Sequence, residues 1–83
     1  MKYPYMRNET KKILEMRFTT DAERQQILIC NEQRTQELEQ EQEKLQDGRF
    51  IYRDDPRWPE DSIINTELYW LGVQKRRYLK VQS

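Results

Sequence analysis

Apolar residues are few in the central part of the chain, and they recur there at helical intervals. Residues 20–47 contain neither glycine nor proline and are dense in Glu, Gln, Leu and Arg, which favour helix. Thr20 and Glu23 have the spacing of a capping box, in which each side chain bonds the other residue's backbone N–H. Asp47 and Gly48 are typical of a helix end. The pattern predicts one long helix over residues 20–47.

A shorter helix before this segment and a second long helix after it are predicted by the same criteria. Apolar residues at helical spacing indicate a helix over residues 8–18, with Asn8 as its candidate N-cap. The last helix is predicted over residues 62–81. Acidic residues crowd its start and basic residues crowd its end, as the helix dipole favours.

Residues 48–61 are predicted to be an irregular connector between the two long helices. The connector contains two prolines, and its one short apolar stretch, residues 49–52, is too small to make a sheet. Phe50 and Ile51 are therefore expected to pack on the helices.

These elements predict a single all-α domain over residues 1–83, in which the two long helices form an antiparallel hairpin. Polar residues interrupt the seam of this hairpin, and only 35% of the chain is hydrophobic, against about 45–50% in typical domains. Such a thin core predicts a homo-oligomer. The register that best joins the apolar landmarks pairs Leu45 with Ile64, Leu38 with Leu71, and Leu28 with Val81.

No part of the sequence indicates export or a membrane. The first residues, MKYPYMRNETKK, lack the apolar stretch of a signal peptide, and no segment is long and apolar enough to span a membrane. Cys30 is the single cysteine, which excludes an internal disulfide. A cytoplasmic location is expected, which for a viral gene is the cytoplasm of the host cell.

Residue types needed for catalysis and for metal binding are scarce. The chain has no histidine, one cysteine and only two glycines. It therefore lacks the commonest general base, a zinc ligand set and a glycine-rich phosphate loop. Ser62 and Ser83 have no base motif nearby. The sequence predicts a non-enzymatic protein without catalytic residues, metal or cofactor.

The region before the long helix combines residue types that bind small phosphate-containing ligands. Aromatic rings suit base stacking, while cations and hydroxyls suit phosphate. In the alternative interpretation, the two tyrosines anchor the terminus on the hairpin. The candidate ligand-binding residues are Tyr3, Tyr5, Lys12, Arg17, Thr19 and Thr20.

A basic cluster over residues 75–80 suggests a second anion-binding segment. It complements the dipole at the end of the last helix, which is the simpler explanation. Nucleic-acid binding is disfavoured because residues 21–48 carry eight acidic and three basic residues, a net charge of −5.

The last helix has more apolar surface than one partner helix covers. Trp and Tyr are frequent hot spots of protein interfaces. Either the N-terminal helix and residues 49–52 cover this second face, or the face binds a partner or a second copy. The candidate interface residues are Tyr69, Trp70, Val73 and Arg77.

Two short elements resemble those of the phage anti-CBASS sponge proteins, which are helical hairpins that sequester cyclic oligonucleotides. They are Phe18-Thr19-Thr20 before the long helix and Glu67-Leu68-Tyr69-Trp70-Leu71-Gly72 in the last helix. The likeness loosely covers residues 18–80. It departs from the family at Thr20, where the family has Tyr, in a missing Pro-rich stretch and in a longer connector. The resemblance implies a phage protein that forms a higher oligomer and binds cyclic dinucleotides between protomers, with motif support only at Thr19 and its neighbours.

Two hypotheses for the function follow from these observations. The first is an immune-evasion sponge that sequesters cyclic nucleotide signals between protomers. The alternative is a small helical protein–protein interaction module that docks through the Trp70 face. Such a module would be a phage or plasmid inhibitor of a host protein, or an assembly factor.

Overall fold

The computed structural model describes residues 6–80, which form three α-helices and, within that range, no strand. α1 comprises Asn8–Glu15, α2 comprises Asp21–Gln46 and α3 comprises Trp58–Lys80. The predicted all-α class is confirmed. None of these three helices has an apolar stretch long enough to cross a membrane.

α2 begins and ends where its capping signals lie. The Thr20 hydroxyl accepts a hydrogen bond from the Glu23 N–H at 3.2 Å, and Glu23 Oε1 accepts one from the Thr20 N–H at 3.1 Å. Asp47 and Gly48 leave the helix with positive φ angles of 48° and 77°. Glycine adopts this left-handed conformation readily, and aspartate tolerates it. The capping box is present, and both ends lie within one residue of the predicted bounds.

α1 is shorter than predicted, because bonds to α3 hold both of its ends. Its N-cap is Arg7 rather than Asn8, and Glu67 of α3 accepts a hydrogen bond from the Arg7 backbone N–H at 3.2 Å. At the other end the chain leaves the helix at Met16, whose carbonyl oxygen accepts from the Tyr78 hydroxyl at 2.9 Å. The cap predicted at Asn8 is therefore wrong, and the helix ends at Glu15 instead of residue 18. Local sequence carries no signal for bonds of this kind.

α3 begins four residues earlier than predicted, at Trp58. Pro59 occupies its second position, where a missing backbone N–H costs nothing, because the first N–H groups of a helix have no partner inside the helix. The turn before it is closed by a hydrogen bond from the Trp58 N–H to the Asp55 carbonyl oxygen at 2.9 Å. Pro59 thus marks the first turn of α3 rather than the end of the connector.

The connector places one of its two adjacent apolar residues in the interior. Ile51 is 3% exposed, whereas Phe50 is 72% exposed and meets Tyr52 edge to face with ring centroids 5.0 Å apart. Neighbouring side chains of an extended segment point in opposite directions, so only one of the pair faces inward. The expectation that Phe50 packs on the helices is wrong.

The order of the contacts along α2 is the reverse of their order along α3. Near the start of α2, Arg24 Nη1 donates to the carbonyl oxygen of Tyr78, near the end of α3, at 3.1 Å. Near the end of α2, Gln42 donates to Asp61, near the start of α3, at 3.2 Å. Buried polar groups therefore join the two helices at both ends of their contact.

Asn31 is a fully buried amide that connects α2 with the rest of the protein. Its Nδ2 donates to the Leu71 carbonyl oxygen and to Gln74 Oε1, both at 2.9 Å, and Gln74 donates to the Ile13 carbonyl oxygen of α1 at 2.7 Å. In the register expected from the leucines, Gln74 faces Thr35, which lies about one turn further along α2 than Asn31. The hydrogen bonds of Asn31 and Gln74 set the register of α2 against α3 here, because leaving a buried amide without a hydrogen bond costs about 1–3 kcal/mol. The third pair of that register includes Val81, which lies outside the described residues.

The apolar core lies where the three helices meet. Leu38, Ile64 and Leu71 are at most 1% exposed and form its centre. Core side chains that also pack there are Met6, Ile13 and Leu14, with Cys30, Leu45, Leu68 and Trp70 partly buried against them.

Glu67 of α3 is a fully buried carboxylate at the junction of the three helices. Its Oε2 accepts hydrogen bonds from the backbone N–H and the Nε of Arg7, at 3.2 and 2.9 Å. Its Oε1 accepts from the Thr10 hydroxyl and from Arg34 Nη2, the latter at 3.2 Å. A buried carboxylate costs several kcal/mol unless it is paired and hydrogen-bonded. The four donors satisfy Glu67 and tie α1 to both long helices.

The same two arginines extend this network towards the surface. Arg7 pairs with Glu41 at 2.7 Å, and Arg34 pairs with Glu37 at 3.0 Å. Burial acts to raise the pKa of Glu67, but the hydrogen bonds from Arg7 and Thr10 and the charge of Arg7 outweigh it. The pKa of Glu67 therefore lies below its ordinary value of 4.5.

Replacing Glu67→Gln keeps the shape of the side chain and removes its charge. We expect the free energy of unfolding to fall by about 2–4 kcal/mol, because Arg7 and Arg34 lose the buried carboxylate that they share. Urea denaturation followed by circular dichroism measures the change. Glu37→Gln is the matched control, since Glu37 pairs with Arg34 while its side chain is 65% exposed. Its expected loss is below about 1 kcal/mol, and equal losses in the two variants would contradict the role given to Glu67.

The lowered pKa of Glu67 predicts a loss of stability in acid. Since the folded carboxyl has the lower pKa, the unfolded chain takes up this proton first as the pH falls. The contribution of Glu67 is complete above its ordinary pKa of 4.5 and is lost as the pH falls below that value. We expect the difference in unfolding free energy between wild type and Glu67→Gln to shrink below about pH 4.5. A difference that grows with falling pH would contradict this sign.

Candidate binding groove

A concave surface with a volume of about 520 Å³ lies between the end of α1 and the second half of α3. We call it the Trp70 groove. It opens where α1 stops at Glu15 and no longer covers α3. Its volume is within the range of about 300–1,000 Å³ typical of ligand sites. The groove is lined by Leu14, Arg17, Phe18, Trp70, Val73, Gln74, Arg77 and Tyr78.

One wall of the Trp70 groove is the short segment that follows α1. Arg17 Nη1 donates to the carbonyl oxygens of Leu14 and Met16 at 3.2 and 3.0 Å, which satisfies carbonyls at the end of α1. Phe18 meets Tyr78 edge to face, with ring centroids 5.0 Å apart. Because Tyr78 also bonds the Met16 carbonyl oxygen, α3 holds this wall at two points.

Two residues that line the groove are held by contacts with the rest of the protein. Gln74 lines the groove and is buried, with its amide bonded to Ile13 of α1 and to Asn31 of α2. Trp70 is partly buried against the apolar core. A ligand in the groove would therefore meet side chains that tertiary contacts already hold in place, which lowers the entropy cost of binding.

The Trp70 groove is basic and apolar. Its lining includes two exposed arginines, Arg17 and Arg77, and no acidic residue, although the chain contains 15 acidic residues. Among residues 6–80, Arg77 has no described hydrogen bond or ion pair. Aromatic rings beside arginines suit a ligand that has an apolar body and negative charge.

A second, shallower groove adjoins the first at Trp70. We call it the Tyr69 groove, and its volume is about 430 Å³. The rings of Tyr69 and Trp70 meet edge to face at 5.2 Å, and Tyr69 is 61% exposed. Its lining likewise contains no acidic residue. The lining residues are Trp58, Ser62, Asn65, Thr66, Tyr69 and Trp70.

The structure divides the ligand-binding residues predicted near the N-terminus. Tyr3 and Tyr5 lie outside the described residues. Lys12 is exposed but lines neither groove. The Thr19 hydroxyl donates to Glu23 at 2.8 Å, and Thr20 caps α2. Of the four candidates that lie among the described residues, Arg17 lines the Trp70 groove and the other three do not.

The residues predicted for an interface lie together. Trp70, Val73 and Arg77 line the Trp70 groove, and Tyr69 lines the groove beside it. Arg17, predicted for the other surface, joins them. The sequence interpretation missed Leu14, Phe18 and Tyr78 as lining residues, because the predicted helix ran to residue 18. The spacing of Tyr78 from Trp70, about two helical turns, was a usable signal.

Other chemistry is limited in residues 6–80. In that range, no three His, Cys, Asp or Glu side chains are grouped so as to hold a metal ion. In the basic cluster at the end of α3, Lys75 is paired with Glu32 of α2, while Arg76 and Lys80 are exposed.

No known protein family matches the chain, and neither a curated protein nor a solved structure shows significant similarity to it. The function is therefore argued from the geometry and charge of the grooves.

Proposed function

We propose that this protein is a non-enzymatic protein–protein interaction module that binds a partner protein through the Trp70 groove. The observation that carries the proposal is the convergence of Trp70, Phe18 and Tyr78 with Arg17 and Arg77 in one acid-free groove. Trp, Tyr and Arg are the residue types most enriched among interface hot spots. An inhibitor of a host protein, encoded by a phage or plasmid, or an assembly factor would use such a surface.

The proposal includes the antiparallel hairpin, the homo-oligomer and the cytoplasmic location expected from the sequence. The opposed contacts between α2 and α3 support the hairpin. A separate small groove between the start of α2 and the end of α3, which shares no lining residue with the Trp70 groove and includes the half-exposed Ile29 and Leu79, supports self-association.

A phage sponge for cyclic nucleotides is the second candidate. Aromatic rings and two arginines in the Trp70 groove favour it, since rings stack on bases and arginines bind phosphate. It ranks second because the hydroxyls of Thr19 and Thr20, which the family resemblance assigns to the ligand, are engaged with Glu23.

Trp70→Ala is expected to weaken binding of the partner protein about thirtyfold or more. Loss of a central interface tryptophan costs about 2 kcal/mol or more, which weakens the dissociation constant about thirtyfold. A partner captured from a host extract is purified and titrated against the wild type and the variant by calorimetry. Phe50→Ala is the control, because Phe50 is an exposed aromatic residue that lines neither groove. Circular dichroism has to show an unchanged helical signal, and undiminished binding by Trp70→Ala would contradict the proposal.

The sponge hypothesis predicts that a cyclic dinucleotide raises the melting temperature of the protein. A ligand at a hundred times its dissociation constant adds about 2.7 kcal/mol to the free energy of unfolding. A thermal-shift panel of cyclic di- and trinucleotides measures this, with the linear dinucleotides as controls. If none of the cyclic compounds shifts the melting temperature, the sponge hypothesis is excluded.

A further inference from the structure

One face of α3 carries a stripe of groove-lining residues along most of the helix. Apart from the adjacent Tyr69 and Trp70, its members recur every three or four residues, which places them on one side of an α-helix. From Trp58 to Arg77 the stripe is about 28 Å long. We call this surface the α3 stripe; it consists of Trp58, Ser62, Thr66, Tyr69, Trp70, Val73 and Arg77.

The α3 stripe has the shape of a site for an additional helix. α1 has eight residues and is about 12 Å long, whereas α3 has 23 residues and is about 34 Å long. α1 therefore covers only part of α3, and the two grooves meet at Trp70 beside it. An amphipathic helix laid in such a groove contacts it with side chains three, four and seven positions apart.

The charges around the α3 stripe favour one sign for the net charge of that helix. Arg17 and Arg77 line one end, and the Arg53 guanidinium lies 5.6 Å from the ring centre of Trp58 at the other. No acidic residue lines either groove. A basic helix would meet cations at the end formed by Arg17 and Arg77, and an acidic helix would meet complementary charge there.

A second copy of this chain fits the stripe poorly. Its α2 carries acidic charge, but among the described residues of α2 the one large apolar side chain that is exposed is Ile29. A helix needs several apolar anchors on one face to fill two grooves. An acidic helix that binds along the α3 stripe therefore needs several apolar side chains on one face, which α2 lacks.

We infer that the occupant of the α3 stripe is an acidic amphipathic helix of a partner protein. This inference rests on the proposed function and specifies the class of its partner. Apolar side chains of the partner helix fill the two grooves on either side of Trp70, and its carboxylates face Arg77 and Arg17.

The test is a selection from a phage-displayed library of helical peptides, randomised over one helix face, against the full chain. We expect the selected peptides to share apolar residues at helical spacing and an excess of Asp and Glu over Lys and Arg. Arg77→Glu is expected to weaken a selected peptide about tenfold or more, and Arg77→Gln by less. Arg76→Glu is the matched control, since Arg76 is the exposed neighbour in the same turn and lines neither groove.

Each other outcome has a defined meaning. Peptides that depend on Trp70 but show no acidic excess would overturn the inference and leave the proposed function standing. Failure to select any peptide whose binding depends on Trp70 would count against both. Concentration-dependent dimerisation that Arg77→Glu removes and Arg76→Glu keeps, measured by analytical ultracentrifugation, would assign the stripe to a second copy and overturn the inference.

Discussion

The carboxylate of Glu67 is buried where three helices meet, and a charge in that position has to be neutralised and hydrogen-bonded. The groups that do so come from Arg7 and Thr10 at the start of α1 and from Arg34 of α2. Because all of them have to converge on two oxygen atoms, the position of α1 on the helix pair is closely defined. The small apolar core alone would leave α1 freer to shift, since apolar contact has no preferred direction.

The Trp70 groove is a consequence of where this network holds α1. α1 is anchored at its start by Glu67, and the chain leaves it at Met16, where Tyr78 binds the backbone. The helix is therefore too short to cover α3 as far as Arg77. The surface left open joins aromatic rings from two segments with arginines from the same two segments. Structure and candidate function thus depend on one arrangement of polar contacts.

Charge is distributed over the protein in a way that suits a selective binding surface. The segment 21–48 carries a net charge of −5, while the grooves along α3 have no acidic lining residue. A partner with acidic groups is repelled by most of α2 and attracted by the arginines beside Trp70, which favours one orientation of docking. Buried polar residues at the seam, such as Asn31 and Gln74, add specificity of register to a core with few apolar side chains.

The sequence by itself determined that the chain forms three helices and where α2 begins and ends. Capping signals at Thr20, Glu23 and Asp47 located α2 to within one residue, because these interactions are local and act over a few positions of the chain. The same local information predicted that a single partner helix does not cover the face of α3 that carries Tyr69, Trp70, Val73 and Arg77. Only the tertiary structure decided the cap of α1, the inward position of Ile51 over Phe50, the register at Asn31 and the meeting of Arg17 with Trp70. The cap of α1, for example, depends on Glu67, which is 60 residues from Arg7 in the chain. Local propensity has no access to such a partner, whereas a buried charge or amide cannot do without one.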